Sequence, residues 1–290
     1  MYEKFYNLKE KPFNMNPDSK FFFPSERHTE ALSSLLYTVG DRKGFAVITG
    51  EIGSGKTTVC RTLLNKLESG TKLALITNTH LTPKQLICSI LEELEIPFKY
   101  NWAKSTLLSC LNKFLIEQIS LDFNVILIID EAQNLNLKTL EEIRMLSNLE
   151  TETEKLIQII LLGQPELEDK LESGDLEQLK QRITIYHHIL PLDIKETEEY
   201  IRYRLKIAGH NGDGLMFDNG ALKKIYEYSD GIPRLINSIC DRALLTGYID
   251  EQWRIKKDRI KEVAGELRLT KGLLPKQGTV PTTITEDNHG

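Results

Sequence analysis

Residues 50–57 read Gly50-Glu51-Ile52-Gly53-Ser54-Gly55-Lys56-Thr57 and match the pattern GxxxxGK[ST]. They lie between an apolar strand candidate, Phe45 to Thr49, and a segment with helical spacing of apolar residues, Val59 to Leu67. In such a unit the glycines let backbone N–H groups converge on phosphate oxygens, and the helix presents the positive end of its dipole to the same anion. The stretch therefore predicts a phosphate-binding loop, called the phosphate loop below.

Three side chains at the end of the phosphate loop have distinct expected roles. Lys56 is expected to bridge the β- and γ-phosphates of a nucleotide. The Thr57 hydroxyl is expected to bind Mg²⁺, a hard cation that prefers oxygen ligands, and Thr58 to support the α-phosphate side. Taken alone, the motif has one alternative, a glycine-rich turn that fits the pattern by chance.

A second apolar strand candidate, Val125 to Ile129, ends in two acids, Asp130 and Glu131. Ligands of open α/β sheets bind at the carboxyl ends of the strands, so both carboxylates are expected beside the phosphate loop. Asp130 is predicted to hold Mg²⁺, largely through water, and Glu131 to polarise the water that attacks the γ-phosphate. The alternative is that both acids only cap the next helix, where the dipole favours them. The combination with the phosphate loop favours ATP hydrolysis.

The order of apolar patterns predicts the architecture. Runs of strand length alternate with helical patterns from Gly44 to Leu190, which is typical of a parallel α/β sheet. The strand candidates are Phe45 to Thr49, Leu73 to Thr77, Val125 to Ile129, Leu156 to Leu162 and Ile183 to Leu190. From Lys195 onward we expect helices only. We therefore predict a three-layer α/β P-loop domain with a five-stranded parallel sheet over residues 1–193, an all-helical lid over 194–268 and a disordered polar tail over 269–290.

Composition narrows the possible classes of protein. A chain of 290 residues, 40% hydrophobic and 27% charged, is long enough for one large and one small domain. No run approaches the roughly 18 apolar residues of a membrane helix, and residues 1–16 lack a signal-peptide layout, so we expect a cytoplasmic protein. The net charge of −5 gives no general attraction to nucleic acid or anionic lipid. The 4 cysteines are widely spaced, which favours buried thiols over disulfides or a metal site.

Further segments resemble those of a known family. They are Phe5 to Phe23 with Pro12-Phe13, Arg27-His28, Asp130-Glu131-Ala132-Gln133-Asn134, Leu162-Gly163-Gln164-Pro165-Glu166-Leu167, and Gly231-Ile232-Pro233-Arg234 with Asn237 and Asp241. Over about residues 1–268 the sequence resembles the AAA+ ATPases related to ExeA and GspA of the general secretion pathway, with TniB, TnsC and MuB of transposition as more distant relatives. The resemblance implies a homo-oligomer, a ring or a filament, with ATP at the junction of the α/β domain and the lid.

The resemblance also implies roles for single residues. Gln164 is the first sensor, whose amide orients the attacking water or contacts the γ-phosphate, with a plain turn residue as the alternative. Arg234 is the second sensor and reaches from the lid to the phosphates, with a surface ion pair as the alternative. Arg182 is the arginine finger that completes the site of a neighbouring subunit. Arg144 is a second candidate for that role, and either arginine could instead pair with nearby acids such as Glu141.

The adenine pocket is the last element that the resemblance implies. Pro12, Phe13 and His28 are expected to line it, because their rings suit stacking on a base, and Pro233 is placed with Arg234 among the nucleotide-binding residues. The helix after Ser25 is amphipathic, so we expect the three residues of 21–23, all phenylalanine, to be core anchors.

Three biological roles remain open from the sequence. The resemblance to ExeA and GspA implies an ATPase that assists assembly of a secretion or cell-surface system through an envelope protein partner. Members of that family often continue into a membrane helix and a peptidoglycan-binding domain, neither of which we expect within these residues. The transposition relatives imply an ATPase on duplex DNA, for which the local basic excess is Arg254 to Lys261. The third role is a switch operated by nucleotide binding rather than turnover.

Overall fold

A parallel sheet forms the centre of the computed structural model, which describes residues 1–16, 18–67, 70–152, 154–210 and 216–272. Its strands are β1 (Phe45–Gly50), β2 (Thr71–Ile76), β3 (Asn124–Ile129), β4 (Gln158–Gly163) and β5 (Ile185–Ile189). The order across the sheet is β2-β3-β4-β1-β5, and every neighbouring pair is parallel. The five predicted strands are confirmed, with ends shifted by a few residues.

The central strands are apolar along their whole length because helices cover both faces of the sheet. Every residue of β1 and β4 is buried, whereas β5, at one edge, is only partly buried. Within β1, Val47 points into one apolar layer, and its neighbours Ala46 and Ile48 point into the other. This double burial explains the continuous runs of Ile, Leu and Val from which the strands were predicted.

Helices of the α/β domain form one layer on each face of the sheet. After a short N-terminal helix, α1 (Tyr2–Phe5), they are α2 (Glu26–Gly40), α3 (Lys56–Leu64), α4 (Pro83–Glu93), α5 (Lys104–Ser120), α6 (Leu137–Leu146), α7 (Pro165–Glu172) and α8 (Glu177–Lys180). Helices α2 and α3 pack on one face, and α4 to α8 contribute to the apolar layer on the other. The fold is the predicted three-layer α/β arrangement.

The lid consists of α9 (Ile194–Ile207), α10 (Asn219–Ser229), α11 (Pro233–Ile249) and α12 (Lys257–Glu266). Local sequence signals start these helices. Asp193 and Glu196 form a capping box at α9, and Asp218 caps α10 by accepting the backbone N–H of Ala221. Pro233 occupies the first turn of α11, where its missing N–H costs no hydrogen bond. The predicted helical region is therefore present.

The start of the chain packs with the lid rather than with the sheet, which differs from the predicted boundaries. Its side chains buried in the apolar cluster of the lid are Tyr2, Tyr6, Leu8, Phe13 and Phe21. The Tyr2 hydroxyl donates to Asp241 of α11, and the Tyr6 hydroxyl donates to the carbonyl of Gln252 at 2.9 Å. Residues 1–16 and 18–21, called the N-terminal segment below, thus contact the lid, although 1–193 was predicted as one domain, and Ser19 also accepts the side-chain amide of Asn65 at 2.7 Å.

Several smaller predictions concern packing and the chain end. Cys60, Cys88 and Cys240 are buried thiols, Cys110 is half-buried, and all four are free. Phe21 is buried and its two phenylalanine neighbours are partly buried, as core anchors should be. Of the predicted tail, residues 273–290 lie outside the described residues. Among the helices of the described ranges, none is both long enough and apolar enough to cross a bilayer.

Gly231 joins the lid to the α/β domain at close range. Its φ is +75°, and a Cβ added there would lie 1.8 Å from the carbonyl oxygen of Leu192, which precedes α9. The Leu192 N–H in turn donates to the Gly231 carbonyl at 3.0 Å. The approach of these two backbones requires glycine at this position.

We expect Gly231→Ala to lower the free energy of unfolding by at least about 2 kcal/mol, because the new methyl group must displace backbone and adopt a left-handed conformation. Urea denaturation followed by circular dichroism measures the change. Gly265→Ala in α12 is the matched control, since nothing lies within 4 Å of its added Cβ, and it should be as stable as wild type or more so. Wild-type stability of Gly231→Ala would contradict this account of the junction.

Candidate nucleotide-binding site

The phosphate loop connects β1 to α3 in a backbone conformation that glycine permits. The φ angles of Gly50, Gly53 and Gly55 are +154°, +81° and +105°. A Cβ at Gly55 would lie 2.7 Å from Nε2 of His28 on α2, so a larger residue would displace the helix behind the loop. The loop has the conformation that brings backbone N–H groups toward a bound phosphate.

Lys56 is the first residue of α3 and is held by the phosphate loop itself. Its side chain is 7% exposed, and Nζ donates to the carbonyls of Gly50 at 2.7 Å and Glu51 at 3.0 Å. Burial lowers the pKa of Lys56, and the nearby carboxylates of Glu131 and Asp130 oppose that shift. The ammonium group is thus positioned at the loop, ready to exchange carbonyl partners for phosphate oxygens.

Thr57 and Asp130 bring the two predicted motifs into contact. The Thr57 hydroxyl donates to Oδ2 of Asp130 at 3.1 Å. Thr57 lies in the helix after β1 and Asp130 follows β3, so the contact spans the intervening strand β4. Burial raises the pKa of Asp130, against hydrogen bonds from the Glu131 N–H and the Thr57 hydroxyl. A partly buried carboxylate beside a hydroxyl oxygen fits a Mg²⁺ ion, whose charge would favour the ionised carboxylate.

Glu131 is held by two amides at the edge of the cavity. Its Oε2 accepts Nε2 of Gln133 at 2.6 Å and Nε2 of Gln164 at 3.0 Å. Burial raises the pKa of Glu131, but those hydrogen bonds and the charges of Lys56 and Arg234 outweigh it, so the pKa lies below its ordinary value. Glu131 is therefore ionised at neutral pH and can accept a proton.

The lid contacts the phosphate loop through the first turn of α11. The backbone N–H of Arg234 donates to the carbonyl of Gly53 at 3.2 Å, and a Cβ at Gly53 would lie 2.4 Å from Cβ of Arg234. The Arg234 side chain is exposed to the cavity. This places the predicted second sensor directly over the phosphate loop.

These elements surround a cavity of about 290 Å³, called the nucleotide cavity below. The predicted residues that line it are Ile52, Gly53, Gly55, Lys56, Thr57, Thr58, Glu131, Gln164, Pro233 and Arg234. Lining residues that the sequence did not identify are Asn14, Met15, Asn16, Asp18, Tyr200, Arg204 and Asn237. The structure thus brings the phosphate loop, Glu131, Gln164 and the lid residue Arg234 to one cavity.

Pro12 and Phe13 were expected in the adenine pocket, and the structure contradicts this. Phe13 is 1% exposed and packs edge-to-face on Phe217 in the lid core, with ring centroids 6.2 Å apart. The Pro12 carbonyl accepts Nε of Arg204 at 2.6 Å. The residues that follow, 14–16, line the cavity instead. In the sequence, the packing of this segment on the lid could have been inferred from Arg204, a cation within the apolar stripe of α9. In the structure Arg204 is buried against the N-terminal segment.

His28, also predicted for the adenine pocket, lies against the phosphate loop and lines a small cavity next to the nucleotide cavity. Its Nε2 is 2.8 Å from the Ser54 carbonyl, and its Nδ1 is 2.7 Å from the Ser25 hydroxyl. Because the carbonyl only accepts, Nε2 carries the proton and Nδ1 accepts the hydroxyl. Burial lowers the pKa of His28, which therefore remains neutral and supports the loop.

Arg144 and Arg182, the two candidates for the arginine finger, differ in their surroundings. Arg144 donates to both carboxylate oxygens of Glu141, at 2.8 and 2.9 Å. Arg182 is exposed, and within the described ranges it forms no ion pair. It precedes β5, a strand of 5 residues, or about 17 Å, whose far end adjoins the phosphate loop. Arg182 therefore lies too far from the phosphate loop of its own chain to contact a nucleotide bound there.

A larger groove, of about 1220 Å³, lies at the opposite end of the sheet. Within it, Arg42 pairs with Asp122 and Glu154, Lys43 pairs with Asp41 and Lys155 pairs with Glu150. It contains no residue of the phosphate loop, so the smaller cavity is the candidate site.

Together the fold and the site define a nucleotide-binding P-loop protein of the AAA+ type. Residues 39–171 match the AAA domain family. General secretion pathway protein A of Aeromonas hydrophila is 40% identical over 267 residues, which cover 92% of this chain and 48% of that protein. The chain therefore spans about half the length of this relative. The resemblance predicted from the sequence is confirmed.

Solved structures agree on the fold. Cdc6p from Pyrobaculum aerophilum aligns with a TM-score of 0.66 at 20% identity, covering 86% of this chain and 71% of that one. Drosophila ORC bound to DNA aligns with a TM-score of 0.67 at 16% identity, covering 93% of this chain and 66% of that one. At such identities the likeness shows the fold alone.

The lowered pKa of His28 predicts a pH-dependent contribution to stability. Above its ordinary pKa of about 6.5, His28 is neutral both folded and unfolded, and its contribution is fully present. As pH falls from there, the unfolded chain takes up a proton before the folded one, so the contribution is lost. The difference in unfolding free energy between wild type and His28→Gln, measured by urea denaturation from about pH 8 to about pH 5, should therefore shrink below about pH 6.5, by at most about 1.4 kcal/mol per pH unit. A constant difference would contradict this environment for His28.

Proposed function

We propose that this chain binds ATP with Mg²⁺ and hydrolyses it. The observation that carries the proposal is the contact of 3.1 Å between the Thr57 hydroxyl and Oδ2 of Asp130. Mg²⁺ prefers oxygen ligands and keeps several waters, so a hydroxyl and a carboxylate on a phosphate loop fit it. Lys56 and Glu131 lie at the same cavity and supply a phosphate-binding cation and a base.

Each residue has one task in the proposed reaction. Water attacks the γ-phosphorus, and one of its protons passes to Glu131. The bond between the γ-phosphorus and the oxygen bridging the β- and γ-phosphates breaks. The products are ADP and inorganic phosphate. The Gln164 amide lies beside Glu131 and can orient the water or a γ-phosphate oxygen. Lys56 and Arg234 supply positive charge to the phosphates. Bound Mg²⁺ would neutralise charge on the β- and γ-oxygens.

We further propose that the ATPase works as a ring or filament that assists assembly of a secretion or cell-surface system. The likeness to General secretion pathway protein A supports this role. A protein partner in the envelope would be the object of the work. ATP is supplied in the cytoplasm, so we place the chain there, where partners can bring it to the inner membrane.

Arg182 supports the oligomer. Its position at the end of the sheet opposite the phosphate loop leaves a neighbouring subunit as its target, and it forms no ion pair in the described part of the chain. A guanidinium group at a subunit boundary can add charge to the transition state of the adjacent site. Arg144, which Glu141 holds at both oxygens, fits this role less well.

A DNA-linked ATPase is the second candidate, because the sequence also resembles the transposition ATPases TniB, TnsC and MuB. The basic run of 254–261 is partly neutralised, since Arg259 pairs with Asp250 and Glu262 and Lys261 pairs with Asp258. This pairing leaves fewer cations for DNA phosphates than the sequence suggests, which favours the secretion role. Turnover measured with and without duplex DNA distinguishes the two, and turnover too slow for work would favour a switch that nucleotide binding operates.

Two variants separate binding from hydrolysis. Lys56→Ala should abolish detectable ATP binding, because it removes the cation at the phosphates. Glu131→Gln should keep ATP affinity within about threefold and lower kcat at least about 100-fold, because it removes the base. Titration with a fluorescent ATP analogue and a phosphate-release assay measure the two effects. Glu117→Gln on the exposed face of α5 is the control and should match wild type. Unchanged turnover in Glu131→Gln would refute the assigned base.

A mixing experiment tests the shared site. Arg182→Ala and Glu131→Gln should each be inactive alone. Mixed in equal amounts, they should regain activity at about a quarter of the interfaces, where an intact Glu131 meets an intact Arg182 from the neighbour. Arg144→Ala, the matched arginine control, should retain activity without mixing. Absence of recovery at every ratio, with both variants folded and oligomeric, would exclude a finger at Arg182.

A further inference from the structure

Glu131 is fixed through only one of its two carboxylate oxygens. Oε2 accepts both amide donors, Gln133 at 2.6 Å and Gln164 at 3.0 Å. Among the described residues, none donates a hydrogen bond to Oε1. Glu131 and Gln164 line the nucleotide cavity, whereas Gln133 does not. Oε1 thus belongs to a carboxylate that lines the cavity. Of the two amides that bind Oε2, that of Gln133 lies outside the cavity lining.

The orientation of the Gln133 amide is determined by its second contact. Its Oε1 accepts the backbone N–H of Gln164 at 3.1 Å, and the side chain is only 8% exposed. A flipped amide would place an N–H₂ group against an N–H donor and an oxygen against the Glu131 carboxylate, which are two repulsive contacts. The donor of Gln133 must therefore face Glu131.

Lys170 fastens the turn that carries Gln133 to the helix that follows Gln164. Its ammonium group donates to the carbonyl of Gln133 and, at 3.1 Å, to that of Leu135. Lys170 is part of α7, which begins one residue after Gln164. The two amides that hold Glu131 are therefore connected by side-chain and backbone contacts and keep a fixed separation.

We propose that Gln133 is a positioning residue for hydrolysis, which holds Oε2 of Glu131 so that Oε1 faces the attacking water. The inference rests on the proposed ATPase function and deepens it. Glu131 sits on left-handed backbone with a φ of +55°, directly before a 3-10 helix, Ala132–Asn134. The hydrogen bonds from Gln133 and Gln164 are what fix the direction of its carboxylate. Without Gln133 the carboxylate keeps one exposed amide partner, and its free oxygen loses a defined direction.

Two substitutions of Gln133 test the inference in the full-length chain. Gln133→Leu has a similar size and removes both polar contacts. Gln133→Glu keeps the shape and the acceptor for the Gln164 N–H but sets a carboxylate oxygen against Glu131. Both should lower kcat at least about tenfold in a phosphate-release assay, while KM and the affinity for a fluorescent ATP analogue stay within about threefold, because Gln133 does not line the cavity.

Gln118→Leu is the matched control for loss of a buried glutamine amide. Gln118 is buried near the end of α5, before β3, whereas Glu131 follows the other end of that strand of 6 residues, about 20 Å away. Its kcat should stay within about twofold of wild type. The thermal unfolding midpoint of every variant is measured first. All activity assays are then run at one temperature below the lowest midpoint, so that only folded proteins are compared.

Each outcome decides a stated claim. Loss of kcat with retained affinity supports positioning by Gln133. Wild-type kcat in both Gln133 variants overturns the inference alone, and a raised kcat overturns it by showing that Gln133 restrains the base. Parallel loss of affinity and kcat also overturns it, because that result marks general disorder of the site. Absence of turnover in wild type overturns the proposed ATPase and this inference together.

Discussion

The hydrogen bond between Thr57 and Asp130 is the contact on which the site depends. It joins the helix after β1 to the end of β3 across the intervening strand β4. Because β1 and β3 run in the same direction, their carboxyl ends lie at one edge of the sheet, and the burial of the strands between helix layers fixes their relative position. Packing of aliphatic strands thus sets the geometry of a polar centre.

Two adjacent carboxylates acquire different properties from their surroundings. Burial raises the pKa of Asp130, which has a hydroxyl and a backbone N–H as partners. Glu131 is also affected by burial, but two side-chain amides and two cations lower its pKa. The first environment suits a carboxylate that a divalent cation completes, and the second suits one that remains ionised without a metal. Neighbours in sequence can therefore divide the tasks of ligand and base.

The parts of the fold that follow a repeating pattern or a fixed spacing could be predicted from the sequence. Continuous apolar runs indicated the strands, and the spacing of glycines before Lys56 indicated the loop. Contacts between distant segments carry no such pattern. Phe13 reads equally well as a stacking ring or a core residue, and burial against Phe217 decides the question. Gln133 likewise reads as an ordinary turn residue until its two amide contacts to Glu131 and Gln164 are known.

Because the N-terminal segment contacts the lid, two linkers connect the lid to the α/β domain, one leading into α2 and one leaving β5. Arg27, in the first turn of α2, donates to the carbonyl of Pro191 at 2.6 Å, so the two linkers lie side by side. A domain that is connected by two adjacent linkers can rotate about the line through them, whereas the linkers resist twisting and sliding. Rotation about that line is the movement that the two linkers restrict least, and it would change the space between Arg234 and the phosphate loop.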